Sequence, residues 1–344
     1  MSHPSAAPGS VPAPRNRRPR SISVVVPCYN EEEVLQSLVN RLCAALFPLE
    51  LPFEIILVDD GSKDSTWAMM RDFQERTPQL KVMRLSHNRG QQIALSSGLD
   101  QSQGEVTVIM DADLQDPPEL IGQMVELWAR GYDVVYGQRT SRAGESAMKR
   151  FLSHSFYRLF VKITGFEIPA DTGDFRLMDR RAVDALQSLR EKHRFIRGMV
   201  SWIGFHQTAL PYQRPKRAAG TTKFPFWKSL DLALDGVVSF STAPLRYVFL
   251  LGCALVALSF LPILCIVLGT VFGHEFSAAT LIFYGLFFLG SVQLAAIGLI
   301  GEYAGRAFEQ SQRRPLYLID EMHGEPLSAE AATRTTPHRD KMIC

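Results

Sequence analysis

Val106-Thr107-Val108-Ile109-Met110-Asp111-Ala112-Asp113 is the stretch on which the reading of this chain turns. Its first five residues are apolar or β-branched and follow closely on Gly104, the composition of a short buried strand. Side chains two apart on an extended segment point the same way, so the carboxylates of Asp111 and Asp113 converge where the strand ends. With Gln115 two residues on, they suit a hard divalent cation, Mg²⁺ or Mn²⁺, held partly by a substrate phosphate. Taken alone, the same residues also suit an acidic turn that opens a helix at Asp116-Pro117-Pro118. The surrounding sequence has to decide.

Outward from that strand, apolar runs alternate with helical patterns. Residues 22–26 read as a first strand ended by Pro27, and 31–47 as a helix with Val34, Leu35, Leu38, Leu42 and Leu46 at helical spacing. Residues 55–58 read as a second strand, followed by a turn at Asp60-Gly61-Ser62 and a helix from about Ser65. Residues 81–85 and 134–136 add strands, and 91–100 and 119–130 add helices. This β-α-β-α order predicts an α/β domain with a largely parallel sheet covered on both faces. Ligands of such sheets bind beyond the carboxyl ends of the strands. Pro27-Cys28-Tyr29-Asn30, Asp59-Asp60-Gly61-Ser62 and Asp111-Ala112-Asp113 all fall at those ends, which makes that edge the candidate site.

A dinucleotide-binding domain would place glycines after the first strand, so that helix amides cradle a pyrophosphate. Here Pro27-Cys28-Tyr29-Asn30-Glu31-Glu32 stands in that place, without the glycines. A diphosphate bound at this edge needs its charge met otherwise, and a cation on Asp111 and Asp113 meets it. The pattern points to a metal-bridged nucleoside diphosphate rather than to NAD.

The 344 residues carry 37 Lys+Arg against 35 Asp+Glu, which gives no case for nucleic acid as a partner. Residues 1–20 are Pro/Ala/Ser-rich, then basic at Arg15, Arg17, Arg18 and Arg20, with no apolar signal region; they read as a disordered basic tail. Cysteines at 28, 43, 253, 265 and 344 show no metal-ligand spacing. Two uncharged stretches, 247–273 and 276–301, are roughly 26 residues each, about 39 Å as helix, and read as transmembrane helices. Arg246 precedes the first, while Arg306, Arg313 and Arg314 follow the second; the link at Gly273-His274-Glu275 holds neither Lys nor Arg. That asymmetry predicts a multi-pass protein of the inner (cytoplasmic) membrane, with both termini and the N-terminal domain in the cytoplasm.

At this point a resemblance emerges. Val25-Val26-Pro27-Cys28-Tyr29-Asn30-Glu31-Glu32, Val58-Asp59-Asp60-Gly61-Ser62-Lys63-Asp64-Ser65-Thr66, Asn88-Arg89-Gly90 and Asp111-Ala112-Asp113-Leu114-Gln115-Asp116-Pro117-Pro118 resemble the family-2 glycosyltransferases of GT-A fold. Asp171-Thr172-Gly173-Asp174-Phe175-Arg176-Leu177, Arg197-Gly198, Gly220-Thr221-Thr222-Lys223 and the two C-terminal spans narrow the likeness to polyprenyl-phosphate glycosyltransferases. That group includes dolichyl-phosphate mannose synthases and bactoprenol glucosyltransferases. The resemblance implies that Pro27, Tyr29 and Glu31 line a nucleoside pocket, that Asp59 accepts a hydrogen bond from the base, and that Asp60 supports the pocket. Asp111, Asp113 and Gln115 would hold Mg²⁺ or Mn²⁺ against the diphosphate. Asp59 and Asp60 also fit an Asx turn closing Asp-Gly-Ser, and Asn88 and Gly90 fit a plain turn.

The acceptor side follows. Residues 146–165 place Lys149, Arg150, Arg158 and Lys162 among Phe151, Leu152, Phe156, Leu159, Phe160 and Ile163, a basic amphipathic segment suited to an anionic membrane surface. Residues 223–246, with Phe224, Phe226, Trp227, Leu230 and Leu234, read as an interfacial helix. Arg139, Arg150, Ser153, Arg176 and Lys223 are candidates for a lipid phosphate, Arg139 first because a guanidinium offers a planar fork. Asp174, with Asp113 and Arg139, is a catalytic candidate, although a phosphate nucleophile is already anionic and needs no general base. Gly301 and Gly305, with Glu302 and Arg306 one turn apart, suggest a homo-oligomer. The resulting organisation is a GT-A domain at 21–222, an interfacial helix at 223–246, two spans, and a cytoplasmic tail at 302–344. Its expected activity is inverting, metal-dependent transfer of a hexose from a nucleotide sugar to undecaprenyl or a similar polyprenyl phosphate. UDP-glucose is the expected donor, with GDP-mannose, UDP-GlcNAc and a UDP-amino-pentose as alternatives. A processive polysaccharide synthase would carry an Arg-Trp pair, and none occurs here. A non-catalytic lipid-phosphate binder would have no use for Asp111, Asp113 and Arg139 together.

Overall fold

The computed structural model describes residues 12–15, 17–140, 172–192, 194–213 and 277–327. The described residues up to 213 and from 315 onward form one compact unit, and 277–314 belong to a second. In the first unit, β1 (Ile22–Cys28), β2 (Phe53–Asp59), β3 (Leu80–Leu85) and β4 (Val106–Ile109) are the expected apolar runs, nearly every residue buried. They pair in parallel in the order β4-β1-β2-β3. The crossovers are α1 (Leu35–Leu46), α2 (Thr66–Arg76) and α3 (Gln91–Gln101). α1 buries Leu35, Leu38, Val39, Leu42, Cys43 and Leu46, the stripe that its spacing predicts. The expected helix at 119–130 is a 3₁₀ turn, Pro118–Leu120, running into α4 (Ile121–Ala129).

The sheet departs from a largely parallel one beyond β4. β5 (Val134–Arg139) does not pair with β4; β6 (Thr172–Asp179) lies between them, antiparallel to both. The sequence of β6 hides this role, because Asp174, Arg176 and Asp179 break the apolar pattern that marks a buried strand. All eight residues are nonetheless buried, their charges met by specific partners. After α5 (Arg180–Ser188) and α6 (Ile196–Trp202), β7 (Gln207–Tyr212) joins the outer edge parallel to β5. β8 (Ile319–His323) closes the other edge, antiparallel to β3. The order is therefore β7-β5-β6-β4-β1-β2-β3-β8, a mixed sheet among the described residues.

Two terminal segments expected to be tails hold fixed positions. Arg15 donates to Trp128 O (2.7 Å), Tyr132 O (2.9 Å) and Asp133 Oδ1 (2.6 Å), with its guanidinium 4.5 Å from the Trp128 ring centroid. Arg17 forks onto Glu105 at 2.9 and 2.5 Å. Residues 12–15 and 17–20 thus lie against the domain, Arg15 on the buried Asp133 and Arg17 on the partly exposed Glu105. At the other terminus, β8 makes residues 319–323 part of the sheet. In the second unit, α7 (Ala278–Ser311) is one helix of 34 residues, about 51 Å long. It leaves Ile282, Leu286, Leu289, Ile297 and Ile300 exposed. Counted over the residues described with their side chains, no helix is long and apolar enough to cross a membrane. α7 carries the second uncharged stretch in its backbone; the first, 247–273, lies outside the described residues.

Candidate active site

The carboxyl ends of β1, β2, β4 and β5 meet at one edge. Because β6 runs the other way, its first residues, Thr172-Gly173-Asp174, arrive at that same edge. An antiparallel strand in the middle of the sheet thus carries an Asp to the place where the parallel strands end.

At the β1–β2 end, Cys28 is the register partner of Asp59, and Asp60 N–H donates to Cys28 O at 2.9 Å. Pro27 is buried there, with Tyr29 and Glu31 half-buried beyond it. Asp59 is fully buried; its Oδ1 accepts from Ser62 N–H at 3.0 Å, the Asx turn expected of Asp-Gly-Ser. Its Oδ2 lies 3.3 Å from Arg84 Nε but has no hydrogen-bond partner among the described residues. Burial pushes the Asp59 carboxyl up, opposed by Ser62 and Arg84. One oxygen therefore closes the turn while the other remains an acceptor. Asp60 also holds the next loop: its two oxygens accept from Arg89 N–H (2.7 Å) and Gly90 N–H (2.8 Å). The 88–90 segment is thus a turn fixed by Asp60, with Gly90 at a φ of 89° that favours glycine.

At the β4 end, Leu114 takes a left-handed φ of 58°, an uncommon conformation for a bulky side chain. Burial of its side chain holds that reversal. Asp113 Oδ1 accepts from Gln115 N–H at 3.1 Å, so the turn orders both candidate ligands. Asp111 Oδ1 accepts from Gln91 Nε2 at 2.6 Å. Burial, and then repulsion from Asp116, Asp174 and Asp113, push the Asp111 carboxyl well above its usual range; Arg197 offsets this only in part. Such a concentration of carboxylates, all hard oxygen donors, fits a divalent cation. Among the described residues no group of three or more His, Cys, Asp and Glu could hold a metal ion alone. Asp111 and Asp113 lie at this end, with the Gln115 backbone N–H on Asp113.

Asp174 has a different environment. Arg197 Nε donates to its Oδ1 at 2.8 Å, and Gln92 Nε2 to its Oδ2 at 3.1 Å. Burial pushes its carboxyl up, but Arg197, Arg176 and Gln92 together hold it below its usual range. Asp174 is therefore an ionised anchor at neutral pH, poorly suited to carrying a proton. Gln92 also accepts from Ile196 N–H at 2.9 Å, joining the starts of α3 and α6 through Asp174. Arg176, a candidate for phosphate, donates to Gly173 O (3.0 Å) and Asp174 O (3.2 Å) of its own strand. Burial lowers its pKa to about 10.

Arg139 ends β5 just beyond a register shift between Tyr136 and Gln138, a bulge that re-aims the strand end. Its guanidinium packs where a methyl on Gly173 would be, 2.7 Å from Nη2. Its Nε–H is buried and has no partner among the described residues. Arg150, Ser153 and Lys223 lie outside the described residues. The sequence reading brought out neither the roles of Gln91, Gln92 and Arg197 nor Asp116 and Tyr212. Asp116 sits in the same acidic run as Asp111, and Gln91-Gln92 follow Asn88-Arg89-Gly90 directly, so a signal existed for these. Tyr212 gave none, since it lies 96 residues from the Asp116 that it bonds.

Comparison with known proteins bears on this geometry. The profile for glycosyl transferase family 2 matches residues 23–187, from β1 through most of α5. An uncharacterized glycosyltransferase of Synechocystis is 43% identical over 304 residues, covering 88% of this chain and 96% of that protein. A prophage-derived bactoprenol glucosyl transferase of Shigella flexneri is 38% identical over 89% of this chain and 99% of its own. A prophage bactoprenol glucosyl transferase homolog of Escherichia coli is 35% identical over 87% and 98%. With identity of this order spanning almost the full length of these relatives, and with the carboxylates gathered at one edge of the sheet, the chain belongs to glycosyltransferase family 2 and is a glycosyltransferase.

Proposed function

We propose that this protein transfers glucose from UDP-glucose to a polyprenyl phosphate, such as undecaprenyl phosphate, at the cytoplasmic face of a membrane. The observation that carries this reading is a site with two opposite demands on one edge. Asp111 and Asp113 form an acidic centre short of cations, while Arg139 holds a buried N–H without a partner among the described residues. The first suits a cation and a nucleoside diphosphate; the second suits an anionic acceptor. The length-spanning likeness to bactoprenol glucosyl transferases of Shigella and Escherichia coli supports the same substrates.

Asp111, Asp113 and Gln115 would hold Mg²⁺ or Mn²⁺, which supplies charge neutralisation for the leaving diphosphate. Asp59, through its spare buried oxygen, accepts a base N–H, with Pro27, Tyr29 and Glu31 around the nucleoside and Asp60 fixing the loop beside it. Arg139 steadies the acceptor phosphate, joined by Arg150, Ser153 and Lys223. A phosphate oxygen attacks the anomeric carbon as the bond to the nucleoside diphosphate breaks, inverting the centre in one displacement. Asp174 serves by keeping Gln92 and Arg197 in place, since the nucleophile is anionic at neutral pH. Residues 247–273 and 276–301 span the bilayer and bring the site to the surface where the lipid phosphate resides.

The test is incubation of the purified full-length protein with undecaprenyl phosphate and a panel of labelled nucleotide sugars. UDP-glucose should give an acid-labile, β-linked lipid monophosphate sugar. A diphosphate-linked product, a growing polysaccharide or a retained α linkage would reject the mechanism, and preference for another donor would reject the choice of sugar.

A further inference from the structure

Asp116 and Tyr212 have no part in the reaction just described, yet they sit against its residues. Tyr212 ends β7 as the register partner of Arg139 on β5. Its hydroxyl donates to Asp116 Oδ1 at 2.6 Å, and the Arg139 guanidinium is near enough to act electrostatically on that hydroxyl. Asp116 is 0% exposed and Tyr212 only 6%, so water cannot substitute for either contact. Burial, then Asp116, hold the phenol well above its ordinary pKa, so the hydroxyl keeps its proton and remains a donor.

The ring itself has little freedom. Phe175 meets it edge-on at 6.0 Å between centroids. Gly137 lets it approach, since a methyl there would stand 2.8 Å from Tyr212 Cε1 and 2.9 Å from Phe175 Cδ1. Thr140 N–H and Oγ1 both donate to Tyr212 O, at 3.0 and 3.1 Å, which ties the ends of β5 and β7 together. Arg139 thus emerges between a fixed hydroxyl on one side and Gly173 on the other.

We propose that Asp116 and Tyr212 are positioning residues that aim Arg139 at the acceptor phosphate. The inference rests on the proposed function, because it takes Arg139 as the group that meets the acceptor. Tyr212→Phe removes the hydroxyl and keeps the ring packing, so it is the sharper probe. It should raise KM for undecaprenyl phosphate roughly tenfold, the factor carried by one lost hydrogen bond to a charged group. KM for the nucleotide sugar should stay within about twofold, and the thermal midpoint should fall by only the few degrees expected of one lost buried hydrogen bond. In an Arg139→Ala background, the same change should have no further effect, because nothing remains to be aimed. Asp116→Asn, which keeps the shape and an acceptor for Tyr212, should raise acceptor KM and fall silent in that background too. Equal rises in both KM values, or additive losses with Arg139→Ala, would mean that the pair only supports the fold and would overturn the inference. An active wild type whose Tyr212→Phe variant keeps its acceptor KM would overturn it as well. A wild type that never uses polyprenyl phosphate would reject the proposed function, and this inference with it.

Discussion

Asp111 and Asp174 are neighbouring carboxylates of the same site, but their surroundings set them opposite tasks. Asp174 has Arg197 and Gln92 on its oxygens and stays charged at small cost, whereas Asp111 has three carboxylates around it, offset only by the Gln91 amide and in part by Arg197. That imbalance is what a cation would correct. Asp111→Asn or Asp113→Asn should therefore lower kcat by at least about a hundredfold, the order expected when one electrostatic stabiliser of a leaving group is lost. EDTA should do the same to the wild type, reversibly with Mg²⁺ or Mn²⁺; full turnover in chelator would remove the metal from the scheme. Asp111→Asn should also melt a few degrees above the metal-free wild type, because it relieves repulsion equivalent to about 1 kcal/mol. Added Mn²⁺ should narrow or reverse that gap, since only the wild type keeps the full pair of ligands. The sequence disclosed Asp111 and Asp113 because they follow directly on the apolar run of β4, although that strand ends at Ile109 and Asp113 lies in the turn beyond it. It could not rank Asp174, whose role depends on Arg197 and Gln92, side chains from other elements.

Among the elements, β5 and β6 concentrate the constraints. Gly137 and Gly173 look interchangeable as sequence, but their neighbours differ in stiffness. A methyl at Gly137 would press on two packed rings, those of Tyr212 and Phe175. Gly137→Ala should destabilise the protein by about 1–3 kcal/mol, the usual cost of overpacking, seen as an earlier denaturant midpoint. A methyl at Gly173 would meet only the end of the Arg139 side chain, which can swing away. Gly173→Ala should keep close to wild-type stability and instead raise KM for the acceptor phosphate, leaving KM for the nucleotide sugar nearly unchanged. The reverse pattern for either variant would show that the strand contacts have been misassigned. β6 itself was legible only as a motif: the 171–177 segment was marked by its residues, not by any strand pattern. Its charges are tolerated in the core because Arg176 is bonded to carbonyls of its own strand and Asp174 to Arg197.

For the whole molecule, charge distribution predicts an arrangement that activity assays do not test. Lys and Arg flank the stretches 247–273 and 276–301 on their outer ends and are missing from the link at Gly273-His274-Glu275. A reporter active only outside the cytoplasmic membrane should therefore give signal when inserted near residue 275 and none at the C-terminus. The opposite pattern would reverse the orientation and exclude a cytoplasmic donor. The C-terminal result has a structural counterpart, because β8 pairs with β3 of the same sheet that carries the site. Residues 315–327 thus belong with the glycosyltransferase domain.

By itself the sequence determined the alternation of strands and helices through β4 and the sheet edge at which Asp59, Asp60, Asp111 and Asp113 gather. These are local properties: hydrophobic periodicity, turn chemistry and side-chain direction operate over a few residues. It also carried the family, because several short motifs occur in one order. Only the tertiary structure decided that β6 enters the sheet antiparallel between β4 and β5, that Arg15 and β8 are fixed parts of the domain, and that Asp116, Tyr212 and Arg139 meet. Each of those joins residues far apart in the chain, and a buried charge reads as a surface residue until the partner that neutralises it is known.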